Sequence, residues 1–358
     1  GSSAKFPTQV HIYANPNMEF KEDEILPKRS KSTEIQSICS EDSVFSMPNL
    51  PEELITEIML RLPVKSLLQF RSVSKSWLSL ISTSYFVKTH LLLSASNKDY
   101  IHHEVITKAS NTSRGVKNCS VSSLLYDSVP ESFELDNPGK NPNAFPLFVG
   151  SVNGLICLAI NLFYGLDCFI IWNPSIRKFK KVLDFVPTQM CRCWSMCGFG
   201  YDEVHNDYKV VGIFSSMIKA NFEAAIYSLK SDSWRTLEDF KPGVSYCGEA
   251  KFVNHKLHWI TFRRRCMRIT SIDLVDEKWG MLELPSYNKG RDLKLGVLGS
   301  DLSVLFNYDE RTHSDVWVMK EYGVKASWTK LYTIRYPENY KLSPPLFMYN
   351  KGEILLVF

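Results

Sequence analysis

Early in the chain the apolar positions recur at helical spacing. Leu54, Ile58 and Leu62 fall at i, i+4 and i+8, with Ile55 and Met59 flanking the same stripe. Glu52 and Glu53 open this helix, where its dipole favours negative charge. Pro63 ends it and suits the first position of a second helix, because a helix start leaves that N–H unbonded anyway. The second helix carries Leu67, Leu68 and Phe70, and Ser74 or Ser76 can cap a third bearing Trp77, Leu78 and Ile81. Three short helices hold more apolar side chains than so small a unit can bury, and the excess predicts a partner surface.

Beyond Tyr100 the pattern changes to strands. An apolar strand, a polar turn, and an aromatic residue followed three positions later by an aliphatic one recur as a group. The copies are Ile171-Trp172…Phe179…Val182, Ile226-Tyr227…Trp234…Leu237 and Ser271-Ile272…Trp279…Leu282. A fourth, Val318-Met319…Trp328…Leu331, has a longer turn. The aromatics lie 55, 45 and 49 residues apart, close to the period of propeller blades. Between the copies sit tight hairpins: Val152-Asn153-Gly154-Leu155, Val253-Asn254-His255-Lys256, Leu298-Gly299-Ser300-Asp301 and the segment 348–355. Asn-Gly suits a two-residue turn that needs positive φ. Two hairpins per repeat predict four-stranded antiparallel blades arranged around an axis.

In such blades the turns within hairpins emerge on one side and the remaining connections on the other. The latter are expected to be long and dissimilar, at 161–167, 185–195, 215–222, 262–267, 287–294, 308–314 and 336–342. Binding residues concentrate on variable loops over a rigid scaffold. That places the candidate binding surface on the loop side, with Arg263, Arg264, Arg265 and Arg268 as a basic patch for an acidic partner.

Composition narrows the chemistry. Of 358 residues 44% are hydrophobic and 13% aromatic, ample for a large core. The net charge of +4 is too small to imply nucleic acid, and no apolar run suggests a membrane span. Nine cysteines without framework spacing fit free thiols in the cytoplasm or nucleus. Cys191, Cys193 and Cys197 lack paired ligand spacing, and His255 and His258, three apart on a strand, are expected to face opposite ways. Neither a metal nor a cofactor is expected. No nucleophile elbow, phosphate loop or acid–base pair stands out, so no catalytic residue is assigned.

The phrases themselves point further. Residues 48–77, with Leu50-Pro51, Arg61-Leu62-Pro63-Val64-Lys65-Ser66-Leu67 and Val73-Ser74-Lys75-Ser76-Trp77, resemble an F-box. Gly150-Ser151-Val152-Asn153-Gly154-Leu155, Trp172-Asn173-Pro174, and Gly198-Phe199-Gly200-Tyr201-Asp202 with Asp207-Tyr208-Lys209-Val210-Val211 resemble the F-box-associated domain of plant F-box proteins. Asp315–Gly323 is similar to the same family, including its S-locus branch.

The resemblance implies an α+β multidomain protein. A disordered tail spans 1–46, a three-helix F-box 47–95, and an all-β propeller of about six four-stranded blades 96–358. The last blade is truncated at the C-terminus, with strands from 103–126 able to complete it. It implies a non-catalytic substrate-recognition subunit of an SCF ubiquitin ligase. Leu50, Pro51, Leu54, Ile58, Leu62, Pro63, Val64, Leu67, Leu68, Val73 and Trp77 would serve the Skp-type adaptor, and through it a cullin and a RING subunit. The propeller would capture an unidentified protein. The alternatives are a propeller enzyme, a sugar-binding protein, or an F-box scaffold outside a ligase.

Overall fold

The computed structural model describes residues 50–96, 104–108, 116–127, 131–135, 138, 145–162, 165–182, 194–215, 222–238, 244–245, 249–263, 266–286, 290–308, 313–335, 347–348 and 354–355. The expected tail over 1–46 lies outside these residues.

The first unit is helical: α1 (Glu52–Leu60), α2 (Val64–Phe70), α3 (Lys75–Ser82) and α4 (Ser84–Ser96). Sequence periodicity gave three helices, and α4 is a fourth. Its apolar residues Phe86, Val87, Leu91, Leu92 and Leu93 form no single stripe. Pro51 precedes α1, and Pro63 stands just before α2 instead of inside its first turn. Ser74 caps α3 by accepting from the Trp77 amide at 3.1 Å.

The core of this unit is Met59, Leu67, Ile81 and Phe86, with Ile55, Leu60, Leu62, Phe70, Trp77 and Leu80 packed around it. His90, on α4, bonds the Leu62 carbonyl at 2.9 Å, which satisfies an acceptor at the end of α1.

Among the described residues, six antiparallel sheets follow. The first contains β1 (Glu104–Lys108), β2 (Val116–Ser120) and β3 (Ser132–Leu135), with the short helix α5 (Val121–Tyr126) before β3. The second is β4 (Phe145–Val152), β5 (Leu155–Leu162), β6 (Gly165–Asn173) and β7 (Lys178–Val182). The third is β8 (Trp194–Asp202), β9 (Asp207–Ser215), β10 (Phe222–Ser228) and β11 (Ser233–Leu237).

In the fourth, β12 (Val244–Ser245) and β13 (Lys251–Val253) both pair with β14 (Lys256–Arg263), which is followed by β15 (Cys266–Asp273) and β16 (Trp279–Leu282). Its first strand is thus split in two. The fifth is β17 (Gly290–Leu298), β18 (Asp301–Tyr308), β19 (His313–Met319) and β20 (Trp328–Arg335). The sixth holds β21 (Phe347–Met348) and β22 (Ile354–Leu355). Among the described residues, strands from 103–126 do not complete this last sheet: β1 and β2 pair with each other and β2 with β3, in a sheet of their own. The arrangement is a β-propeller.

The recurring aromatic opens or nearly opens the last strand of each complete sheet. Phe179 faces Trp172, Trp234 faces Tyr227, Trp279 faces Ile272 and Trp328 faces Met319. Two positions earlier, Arg177, Asp232 and Glu277 hold φ of 56°, 51° and 58°, the left-handed residue each turn needs. In the fifth sheet Gly323 (φ 85°) and a 3-10 turn at Lys325–Ser327 lengthen this connection, as the spacing predicted. The inner hairpins turn at Asn153-Gly154 (φ 50° and 80°) and Asn254-His255 (φ 50° and 60°). His255 therefore belongs to a turn and not to a strand beside His258.

Burial on both faces explains the near-continuous apolar runs. Leu155, Cys157 and Ala159 face the third sheet, while Ile156, Leu158 and Ile160 pack with Ile106 of β1. Sheets three and four meet over Val211, Ile213 and Ile226 against Leu257, Trp259 and Ile272. Glycine lets them close: a Cβ at Gly198 would lie 2.6 Å from that of Ala250, and one at Gly200 2.5 Å from Leu274 Cδ1. First strands crowd the axis, with β4 against β8 and β8 against β13.

Candidate adaptor-binding and target-facing surfaces

The helical unit divides the candidate adaptor residues in two. Leu50, Leu54, Ile58 and Val73 are 55%, 46%, 52% and 62% exposed, although all four are large and apolar. Pro51 is exposed beside them, and Leu78 adds to the exposed set. Leu67 and Val64 are buried, and Leu62 and Trp77 pack on the unit's own core. Pro63 and Leu68 are half-buried. The single stripe read along α1 is therefore two faces: Ile55 and Met59 point inward, Leu54 and Ile58 outward. Leu62 lies beyond the helix end. A core that is complete without Leu54 and Ile58 leaves them free for another protein. Fully burying such a side chain is worth roughly 1.5–3 kcal/mol.

The basic patch is only partly within the described residues. Arg263 ends β14, opposite Cys266, and Arg268 is exposed on β15, opposite Thr261; Arg264 and Arg265 lie outside. Several expected loops are shorter than their sequence suggested. β5 runs to Leu162 and β6 resumes at Gly165, while β14 runs to Arg263 and β15 resumes at Cys266. β17 starts at Gly290, within the expected 287–294 loop. The rest of 185–195, 215–222, 308–314 and 336–342 falls mostly outside the described residues.

On the turn side, polar tethers join neighbouring sheets, and sequence reading missed them. Lys180, one residue after Phe179, donates to Asp232 at 2.7 Å. At the matching position Arg235, one residue after Trp234, pairs with Glu277. Lys209 is 7% exposed and donates to Asp202 at 2.8 Å and to the Leu274 carbonyl at 2.6 Å, with Glu277 at 3.3 Å. Burial alone would raise the Asp202 carboxyl, but hydrogen bonds from Lys209 and His205 outweigh it and hold it at about 2. This is the structural content of the Tyr201-Asp202…Asp207-Tyr208-Lys209 phrase. The signal available in sequence was the matched placement of opposite charges one repeat apart.

Sheets four and five are joined by His258, whose Nε2 accepts from the Tyr322 hydroxyl at 2.7 Å while Nδ1 donates to the Lys251 carbonyl at 3.2 Å. Burial pulls this imidazole down to about 4, so it is neutral. The Trp328 indole donates to the Glu283 carbonyl at 3.0 Å. Cys191 and Cys193 lie outside the described residues, and burial pushes the Cys197 thiol well up, away from the thiolate that binds metals.

Comparison with known proteins agrees with this architecture. An F-box domain matches residues 47–89, and an F-box associated beta propeller domain matches residues 116–358. An F-box/kelch-repeat protein of Arabidopsis thaliana is 33% identical over 300 residues, covering 81% of each chain. The F-box protein CPR1 of the same plant is 27% identical over 346 residues, covering 87% of this chain and 80% of its own. Among solved structures, YjhT aligns with a TM-score of 0.44 at 10% identity over 71% of this chain and 86% of that one. The chain belongs to the F-box proteins that carry an F-box-associated β-propeller. Proteins of this class recognise substrates for SCF complexes through a Skp-type adaptor, typically without catalysing a reaction themselves.

Proposed function

We propose that this protein docks on its Skp-type adaptor through Leu50, Pro51, Leu54, Ile58 and Val73, and presents a protein target bound on the loop side of the propeller. The observation that carries the docking is the exposed apolar row on a helical unit whose own core is already closed. Leu62, Val64, Leu67 and Trp77 serve the same interface indirectly, by holding α1 and α2 in place. The chain's contribution to ubiquitylation is proximity, raising the effective concentration of target lysines near the charged conjugating enzyme.

On the target side, Arg263, Arg264, Arg265 and Arg268 supply positive charge for an acidic segment. A self-incompatibility role, suggested by the S-locus-like phrase at 315–323, is one use of such a face. The free thiols Cys119, Cys157, Cys168 and Cys197 suit action in the cytoplasm or nucleus.

The decisive experiment is co-purification with a Skp-type adaptor, comparing the wild-type chain with Leu54→Lys/Ile58→Lys. Loss of capture with an unchanged circular dichroism spectrum is the expected result. A well-folded wild type that captures no adaptor would sink the reading.

A further inference from the structure

The direction of the strands says on which side of the propeller the helical unit stands. In each complete sheet the first-to-second and third-to-fourth connections share one side, the turn side, marked by Asn153-Gly154 and Arg177 in the second sheet. The last strands β7, β11 and β16 run away from it and finish on the loop side, where the next sheet begins. β3 holds the same place before β4. Because β1 pairs antiparallel with β2, and β2 with β3, β1 runs in the direction of β3 and starts on the turn side. As the strand two before β3, β1 takes the place of a second strand. Its Ile106 packs on the face of the next sheet, in a cluster with residues of β5, β6 and β7 and with Phe148 of β4 beside them.

α4 ends at Ser96 and β1 begins at Glu104. A chain of that length reaches roughly 28 Å when fully extended. The five-residue β1 is itself about 17 Å long. Climbing along it from its start to the loop side would use more than half of the tether, whereas the turn side needs no climb at all.

We infer that the F-box unit stands on the turn side of the propeller, against the rigid hairpin turns, and that the loop side faces away from it. If the ligase reading above holds, on which this consequence rests, adaptor and target are held on opposite sides of the propeller. The turn side is then closed to targets near the first two sheets.

Lysine cross-linking with a short reagent, read by mass spectrometry on the free full-length chain, tests the placement. Lys65, Lys75 and Lys88 report from the helical unit. Lys178 and Lys230 mark the turn side, and Lys117 and Lys181 lie at the loop ends of β2 and β7. Links from the helical lysines should concentrate on Lys178 and Lys230. Links concentrated on Lys117 or Lys181, or none reaching the turn side, overturn the inference. No adaptor is present in this measurement, so its failure is distinct from a failure of adaptor capture.

Discussion

His258 shows how much one buried side chain can decide. Its imidazole is fully buried and neutral, held between the Lys251 carbonyl and the Tyr322 hydroxyl. Its folded pKa of about 4 lies below the unfolded value of 6.5, so the unfolded chain binds the extra proton between those limits. Stability is then full above pH 6.5 and falls as pH drops towards 4, by on the order of 3 kcal/mol. His90 is lowered in the same direction by burial and adds to the same slope in the helical unit. Urea unfolding at pH 7 and pH 4.5, comparing wild type with His258→Gln, should show a shallower pH dependence in the variant. Asp202 acts elsewhere on the scale: its support persists until pH falls below the ordinary carboxylate range, towards 2. Lys209→Met leaves that buried carboxylate without its cation and should cost about 3–5 kcal/mol in the same assay at neutral pH.

At the scale of elements, α1 keeps its proposed docking face apart from the face that packs its own core. Leu67→Ala removes a core side chain that is 2% exposed and should lower the stability of the helical unit by about 2–5 kcal/mol. Leu54→Lys/Ile58→Lys should leave that stability nearly unchanged while abolishing adaptor capture. A thermal melt of each variant beside a pull-down checks both halves of the contrast. The sequence could not separate these faces. Leu54, Ile55, Ile58 and Met59 are all apolar, and a helix with two apolar sides has no single direction to read. The propeller was far more legible, because apolar strand runs punctuated by tight turns such as Asn153-Gly154 mark the hairpins. The aromatic at each last strand then repeats that pattern visibly from sheet to sheet. What escaped was everything requiring two repeats at once: Lys180 with Asp232, Arg235 with Glu277, His258 with Tyr322. A single strand carries no sign of which charge its neighbour offers. The fourth helix escaped for a different reason, since its apolar residues show no clear stripe.

The whole molecule is organised as two kinds of core. Among the described residues, the cluster around Met59, Leu67, Ile81 and Phe86 draws only on the helical unit, and the five clusters of the propeller only on the propeller. Cores without shared side chains have little means of melting together, so calorimetry should show two transitions instead of one. Leu67→Ala should lower one of them alone, and Trp259→Ala, at the junction of sheets three and four, the other. The adaptor binds the folded helical unit and not its unfolded form. At a hundredfold excess over its dissociation constant it should stabilise that transition by about 2.7 kcal/mol and leave the propeller transition where it was. A single transition that both substitutions shift equally would mean that the two units are coupled more tightly than their separate cores imply. An adaptor-induced rise in both transitions would carry the same message. In either case target capture and adaptor docking would share one folding equilibrium, linking the exposed row on α1 to the propeller.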